Sequence, residues 1–259
     1  MNCIRRLLFC VAFILAIFLS GAADEKKEEK KSEPPRIIGA VPFAVIPGAT
    51  NKIKIRGLNL TNATEVRFPN GGKLAAEIKS RGKAVLPDKA DPKKLGDTQL
   101  EMELSLPEDF PVGDLPFTVS TPDGEANTNL LCVIARELLL DEKEPNGGFR
   151  KPNEIQVPQI IRGVIDPAND VDVFRFTAQQ GQKIRLETRS GAYGSMLDPM
   201  LTLHDSTGHT LTSSDDTKES RDALIRFTIP RGGAYFISII DAHDRGGATF
   251  GFVLTVSME

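Results

Sequence analysis

The 259-residue chain contains no tryptophan, two tyrosines, three histidines and three cysteines. Aromatic stacking platforms for bases or sugars are therefore scarce. So are the histidines that serve most metal, acid-base and nucleophilic sites. Charge of one sign is also missing: 32 basic residues face 35 acidic ones, a formal net charge of -3. That balance argues against a nucleic-acid binder held by phosphate contacts. No Gly-x-Ser-x-Gly elbow, His-Glu-x-x-His helix or phosphate-binding glycine loop occurs in the sequence. His204, His209 and His243 have no such motif around them and read as surface or hairpin residues. The expectation is a protein without catalytic residues.

What is present begins with a leader. Arg5 and Arg6 precede an apolar run over residues 7–19, and small residues follow, Ser20 to Ala23. This is the layout of a cleaved secretory signal peptide, and the run is short for a bilayer span, which takes about 20 residues. No later segment is long and apolar enough to cross a membrane, so no span is expected after cleavage, and a secreted or periplasmic, cell-envelope location follows. Cys3 and Cys10 leave with residues 1–23, and the lone Cys132 cannot form an internal disulfide. It lies in an apolar run and reads as a small buried hydrophobe. Residues 24–35 open with DEKKEEKKSE and end with Pro34-Pro35. Without apolar residues such a stretch has no core to order it and reads as a solvated linker.

The remainder is a succession of short strands. Leu100, Met102, Leu104 and Leu106 alternate with Glu101, Glu103 and Ser105. Ile53-Lys54-Ile55, Val66-Arg67-Phe68 and Phe117-Thr118-Val119 are similar, each near Pro, Asn, Asp and Gly turn signals. Period-two patterning with regular turns predicts an all-β chain of two β-sandwich domains in tandem, residues 36–136 and 137–259. The polar stretch from Arg81 to Asp97 reads as an inserted loop, and residues 137–142 as a brief helical turn.

In the first domain, Ile53-Lys54-Ile55-Arg56-Gly57-Leu58-Asn59-Leu60, then Leu106-Pro107 and Val119-Ser120-Thr121-Pro122-Asp123-Gly124, resemble an IPT/TIG domain. That resemblance implies an immunoglobulin-like sandwich acting as a spacer or interaction module. In the second, Glu144-Pro145-Asn146, Asp170-Val171-Asp172 before an aromatic strand, Leu197-Asp198-Pro199, Asp205 to Gly208, Asp215-Asp216 and Gly233-Ala234-Tyr235 stand in one order. The order resembles the bacterial pre-peptidase C-terminal (PPC) domain. The resemblance implies a jelly-roll-like sandwich that accompanies exported enzymes without being a peptidase itself.

Glu142, Glu144 and Asn146 recur at every second residue, and Asp170 and Asp172 share that spacing. In extended chain such residues project to one side. If the acidic segment folds back over the strand after Asp172, oxygen-bearing side chains converge, and hard cations such as Ca2+ take six to eight oxygens. A solvated acidic loop with turn-capping aspartates is the alternative. The resemblance implies a structural calcium site at Glu142, Glu144, Asn146 and Asp172. Asn169 stands where relatives usually carry an acid. The candidate ligand set is thus Glu142, Glu144, Asn146, Asn169, Asp170 and Asp172, with Ca2+ as the cofactor. Tyr193, between Gly191 and Gly194, reads either as the obvious exposed aromatic or as a packed loop residue. The function expected is non-catalytic binding or adhesion to an extracellular or envelope protein or polysaccharide. The alternative is an accessory subunit that aids secretion or targeting of a separate secreted peptidase.

Overall fold

A computed structural model describes residues 33–70, 72, 74–86 and 91–259. The expected signal peptide and most of the charged linker lie outside the described residues. The N-terminal half consists of β1 (Arg36–Val41), β2 (Ala44–Val45), β3 (Ala49–Leu58), β4 (Glu65–Arg67), β5 (Ala75–Lys83), β6 (Thr98–Leu106), β7 (Gly113–Thr121), β8 (Gly124–Glu125) and β9 (Asn129–Val133). One short helix, α1 (Pro92–Leu95), precedes β6. The strands form two sheets, β1-β3-β6-β5 and β2-β9-β7-β4, with β8 pairing β7. Read in chain order, this is the immunoglobulin arrangement of one ABED sheet against one containing C, F and G.

Alternation explains the pairing. In β6 Leu100, Met102, Leu104 and Leu106 are all buried. They pair across to β3, with Ile55 opposite Leu100 and Ile53 opposite Met102. A slip of one residue would turn both apolar rows outward. On the outer face, Lys54 and Glu101 pair at 3.4 Å and Lys79 and Glu103 at 3.2 Å. The Arg81–Asp97 stretch is not wholly a loop. β5 runs through Arg81 to Lys83 along the edge of its sheet, with a register shift between Ile78 and Ser80. An edge strand with charged residues lacks clean alternation, because one side of its ladder and one face meet water.

The C-terminal half consists of β10 (Leu139–Asp141), β11 (Asn153–Glu154), β12 (Gln159–Val164), β13 (Asp172–Ala178), β14 (Lys183–Arg189), β15 (Pro199–His204), β16 (Thr210–Ser214), β17 (Leu224–Thr228), β18 (Gly233–Asp241) and β19 (Gly251–Met258). A single 3-10 turn, Arg136–Leu138, leads into it in place of the expected helical turn. The sheets are β10-β12-β19-β14-β17 and β11-β13-β18-β15-β16. Their shared core holds Phe174 edge-on to Phe252 at 6.3 Å and Phe176 stacked on Tyr235 at 5.8 Å. Tyr235 donates its hydroxyl to the Arg231 carbonyl at 2.6 Å, so the buried phenol is satisfied.

The two sandwiches are packed on one another within a single unit, Glu33–Glu259. β19 shows why. Phe252 and Leu254 enter the C-terminal core, and the intervening Val253 is also buried, within the N-terminal core cluster. Tyr193 is buried rather than exposed: its ring stacks on Phe43 at 4.9 Å with planes 2° apart. Its hydroxyl donates to Asp114 at 2.6 Å. Arg162 donates to the Ala44 carbonyl at 2.6 Å. Gly39 and Gly194 let the backbones cross, since a Cβ on Gly39 would lie 2.5 Å from the Gly194 carbonyl oxygen. Cys132 is buried beside this junction, and burial pushes its thiol pKa up. Tyr193→Phe is expected to cost about 1.5–3 kcal/mol, the worth of a hydrogen bond to a charged acceptor. It should appear in urea melts as a lower midpoint with an unchanged slope.

Candidate metal centre

The acidic segment does fold back over β13. Three anchors place it. The Glu142 amide donates to the Arg162 carbonyl at 3.1 Å, continuing the parallel pairing of β10 with β12. Asn153 clamps Lys143 from both sides, accepting from its amide at 2.7 Å and donating to its carbonyl at 2.8 Å. The Val173 amide donates to the Asn146 carbonyl at 3.1 Å, which fixes Asn146 beside the start of β13.

The carboxylates of Glu142, Glu144 and Asp172 converge, with one oxygen from each lying within 4.8 Å of the others. Two oxygens each about 2.4 Å from one calcium ion are at most about 4.8 Å apart, so the spacing suits a shared cation. The hydrogen bonding suits it too. Glu142 accepts from the Val164 amide at 2.6 Å through one oxygen, and its other oxygen has no protein partner. Glu144 accepts from the Asn146 amide at 2.9 Å. Asp172 is fully buried, and neither of its carboxylate oxygens has a partner. Asn146 is also fully buried, and its side-chain oxygen and nitrogen are both unpartnered. Buried polar atoms are satisfied in the great majority of cases. A bound cation would satisfy these atoms, and a proton shared between Glu142 and Asp172 would satisfy some of them. None of the three carboxylates forms an ion pair among the described residues.

Electrostatics follows from that geometry. Burial drives the Asp172 pKa up to about 10, and the neighbouring Glu142 carboxylate adds to the rise. Burial likewise raises Glu142 to about 7, against the hydrogen bond from the Val164 amide. Each of these two carboxyls therefore holds its proton more tightly in the metal-free fold than in the unfolded chain.

The other two candidates are placed differently. Asp170 spends its oxygens on the Asp166 and Val171 amides, both at 2.9 Å, and lies outside the carboxylate cluster. It caps the turn into β13 and adds negative charge nearby. Asn169 is exposed and left-handed, at φ 66°, with its amide bonded to the Asp244 carbonyl at 3.1 Å. Two supporting residues were missed from the sequence. Asn153 resembles any loop asparagine, and no local pattern links it to Lys143. Gly163 leaves room for the Glu142 carboxylate, which a Cβ would strike. Gly163→Ala is expected to displace Glu142 and reduce any calcium-induced rise in melting temperature by more than half, measured by differential scanning calorimetry.

Two further aspartates are structural. Asp205 accepts from the Thr207 and His209 amides at 2.8 and 3.0 Å, closing the hairpin between β15 and β16. Asp241, unnoticed in the sequence, is fully buried and accepts from the Asp198, His243 and Arg245 amides, each at 3.0 Å. The Arg245 side chain adds two more bonds at 2.9 and 3.0 Å. Burial opposes ionisation of Asp241, but these donors outweigh it and hold the carboxyl below its usual range. His204 bonds Ser238 at 3.0 Å and His209 bonds Thr207 at 2.9 Å, so the two histidines have separate partners.

Comparisons with known proteins give partial matches. A probable subtilase-type serine protease of Deinococcus radiodurans is 30% identical over 103 residues, which is 39% of this chain. The chain spans 14% of the length of that relative. Among solved structures, the pre-peptidase C-terminal domain of a Bacillus anthracis collagenase aligns with 45% of this chain and 100% of its own, at 14% identity and a TM-score of 0.35. A periplasmic inhibitor of g-type lysozyme from Aeromonas hydrophila aligns with 42% of this chain and 99% of its own, at 17% identity and a TM-score of 0.31. Residues 170–240, from the turn into β13 to within β18, match the family model of the bacterial pre-peptidase C-terminal domain.

Proposed function

We propose that this is a non-catalytic, exported binding protein whose PPC sandwich is clipped by calcium. The observation that carries the calcium reading is the convergence of Glu142, Glu144 and Asp172 with buried, unpartnered oxygens. Glu142, Glu144 and Asp172 would hold the ion, with the Asn146 side-chain oxygen as a further ligand. Calcium would neutralise the buried charge and tie the segment after β10 to β13. A chain with one cysteine in the expected mature protein has no internal disulfide to do this work, and a ligand that binds only the folded state stabilises it.

The binding role is supported by the PPC match, because the expected family function is to accompany exported enzymes and engage extracellular material. The N-terminal sandwich, with its immunoglobulin strand order, would serve as an IPT/TIG-type spacer or interaction module. Location outside the cytoplasm rests on the leader pattern of residues 1–23. No helix among the described residues is long and apolar enough to cross a membrane. The likeness to part of a subtilase-type protease favours a second reading, in which the PPC module assists a separate secreted peptidase.

Titration calorimetry with calcium should give one ion per chain. The immobilised protein should also retain a defined component of a bacterial envelope extract. Absence of heat at millimolar calcium removes the metal, and an empty eluate counts against the binding role. Co-elution of a peptidase as the main component favours the second reading.

A further inference from the structure

A groove of about 820 Å³ runs along the junction between the two sandwiches, away from the carboxylate cluster. One wall comes from the start of β1, from α1 and from the turn before β9. The other comes from the 191–196 loop and Arg221. Four cations line it: Arg36, Lys93, Lys94 and Arg221. One carboxylate, Asp91, accompanies them, and it is engaged by the Lys93 amide at 2.9 Å. Arg221 is bonded to the Ser195 carbonyl and has Asp222 beside it. Arg36, Lys93 and Lys94 are exposed and have no ion-pair partner among the described residues.

Cations on the outer face of the first sheet and on β4 are neutralised, in contrast to these three. Lys52, Lys54, Lys79 and Arg67 each face a carboxylate, at 3.9, 3.4, 2.7 and 2.7 Å. In a chain of net negative charge, the groove thus brings together four cations and one carboxylate among the described residues that line it. Clefts lined by one sign of charge focus the field and concentrate oppositely charged ligands. Asn127 and Thr128 sit among the cations and offer amide and hydroxyl groups. No aromatic ring lines the groove, so a neutral sugar has no face on which to stack. The walls are held in register by the Phe43–Tyr193 stack, the Tyr193–Asp114 hydrogen bond and the Gly39–Gly194 crossing. Such preorganisation lowers the ordering cost of binding.

We infer that this groove binds an acidic polysaccharide, a polyhydroxylated chain bearing carboxylate or sulfate groups. The cations meet its charges, and Asn127 and Thr128 meet its hydroxyls. The inference rests on the binding role proposed above and names a surface and a ligand class for it.

The test is titration of the protein with three probes at about 50 mM salt, repeated at about 300 mM, where screening is stronger. The probes are a polygalacturonate oligomer, a heparin-derived oligomer and polyglutamate. At least one acidic sugar should bind more tightly than polyglutamate and weaken with salt. The triple variants R36E/K93E/K94E and R36Q/K93Q/K94Q should each lose at least about tenfold in affinity, given the modest worth of individual exposed charge pairs. Their melting temperatures should match the parent. A K183E/R231E control, at exposed cations outside the groove, should bind as the parent does. Equal binding by parent and glutamine variant overturns the groove assignment, and equal binding of polyglutamate overturns the sugar class. Failure with both sugars overturns this inference while leaving envelope capture to judge the binding role separately.

Discussion

Calcium in 100-fold excess over its Kd should raise the melting temperature of this protein by roughly 5–10 °C at pH 8, and Asp172→Asn should abolish that rise. The size follows from about 2.7 kcal/mol of linkage at that excess and about 2–4 °C per kcal/mol for a protein of this length. The pH dependence carries a distinct signature. Glu142 and Asp172 have raised pKa values in the metal-free fold, near 7 and 10, against about 4 when unfolded. Between those limits the native state holds more protons than the unfolded state, so metal-free stability falls as pH rises. It is fully present below about pH 4 and is lost progressively as pH climbs through 7 toward 10. Calcium requires the ionised carboxylates, so the rise it produces should grow between pH 5 and pH 8. Asparagine cannot ionise. Calcium-free Asp172→Asn should therefore melt at or above the parent, by a margin that widens with pH. A variant that keeps the calcium increment, or whose pH profile parallels that of the parent, would remove Asp172 from the site.

Asp241→Ala should be the most damaging single substitution in the C-terminal sandwich away from its apolar core. It strips the acceptor from three backbone amides and from the Arg245 guanidinium at once. Leaving part-buried backbone donors without an acceptor costs about 1–3 kcal/mol each, so a loss of about 3–5 kcal/mol is expected. Urea melts should show that loss as a lower midpoint, together with a fall of roughly 6–20 °C in melting temperature. The linkage here has the opposite sign to that at Asp172. The Asp241 pKa is depressed in the fold, so its contribution is present above the unfolded pKa of about 4 and is lost as pH falls through the folded value. A loss under 1 kcal/mol would show that water can replace the carboxylate. Because Asp241 contacts none of the carboxylate cluster, the calcium response of Asp241→Asn should match that of the parent.

The strands that were easiest to read are those with one wet and one dry face. β6 alternates apolar and polar residues from Leu100 to Leu106, and its face and partners follow from that row. β5 was hidden because an edge strand with a register shift need not alternate. The spacing of Glu142, Glu144 and Asn146 pointed to the acidic segment, and the fold places Glu142 and Glu144 beside Asp172. Asp170, which shared the spacing, caps a turn, and Asn169, a candidate only through the family resemblance, sits in a left-handed turn. The Asp170 side chain has a local role, whereas that of Asp172, the first residue of β13, does not.

Local order along the chain sufficed for the all-β class, the two sandwiches, the buried Cys132 and the acidic segment, because period-two burial and turn chemistry act over neighbouring residues. Other features required the fold. The approach of Glu142 to Asp172 depends on Asn153, Gly163 and Arg162, which lie 10 to 21 residues from the positions they serve or contact. The burial of Tyr193 and Val253 depends on one sandwich lying against the other, and so does the groove with its unpaired Arg36, Lys93 and Lys94. Burial, field and cavity shape are sums over residues distant in sequence, and only the packed chain evaluates them.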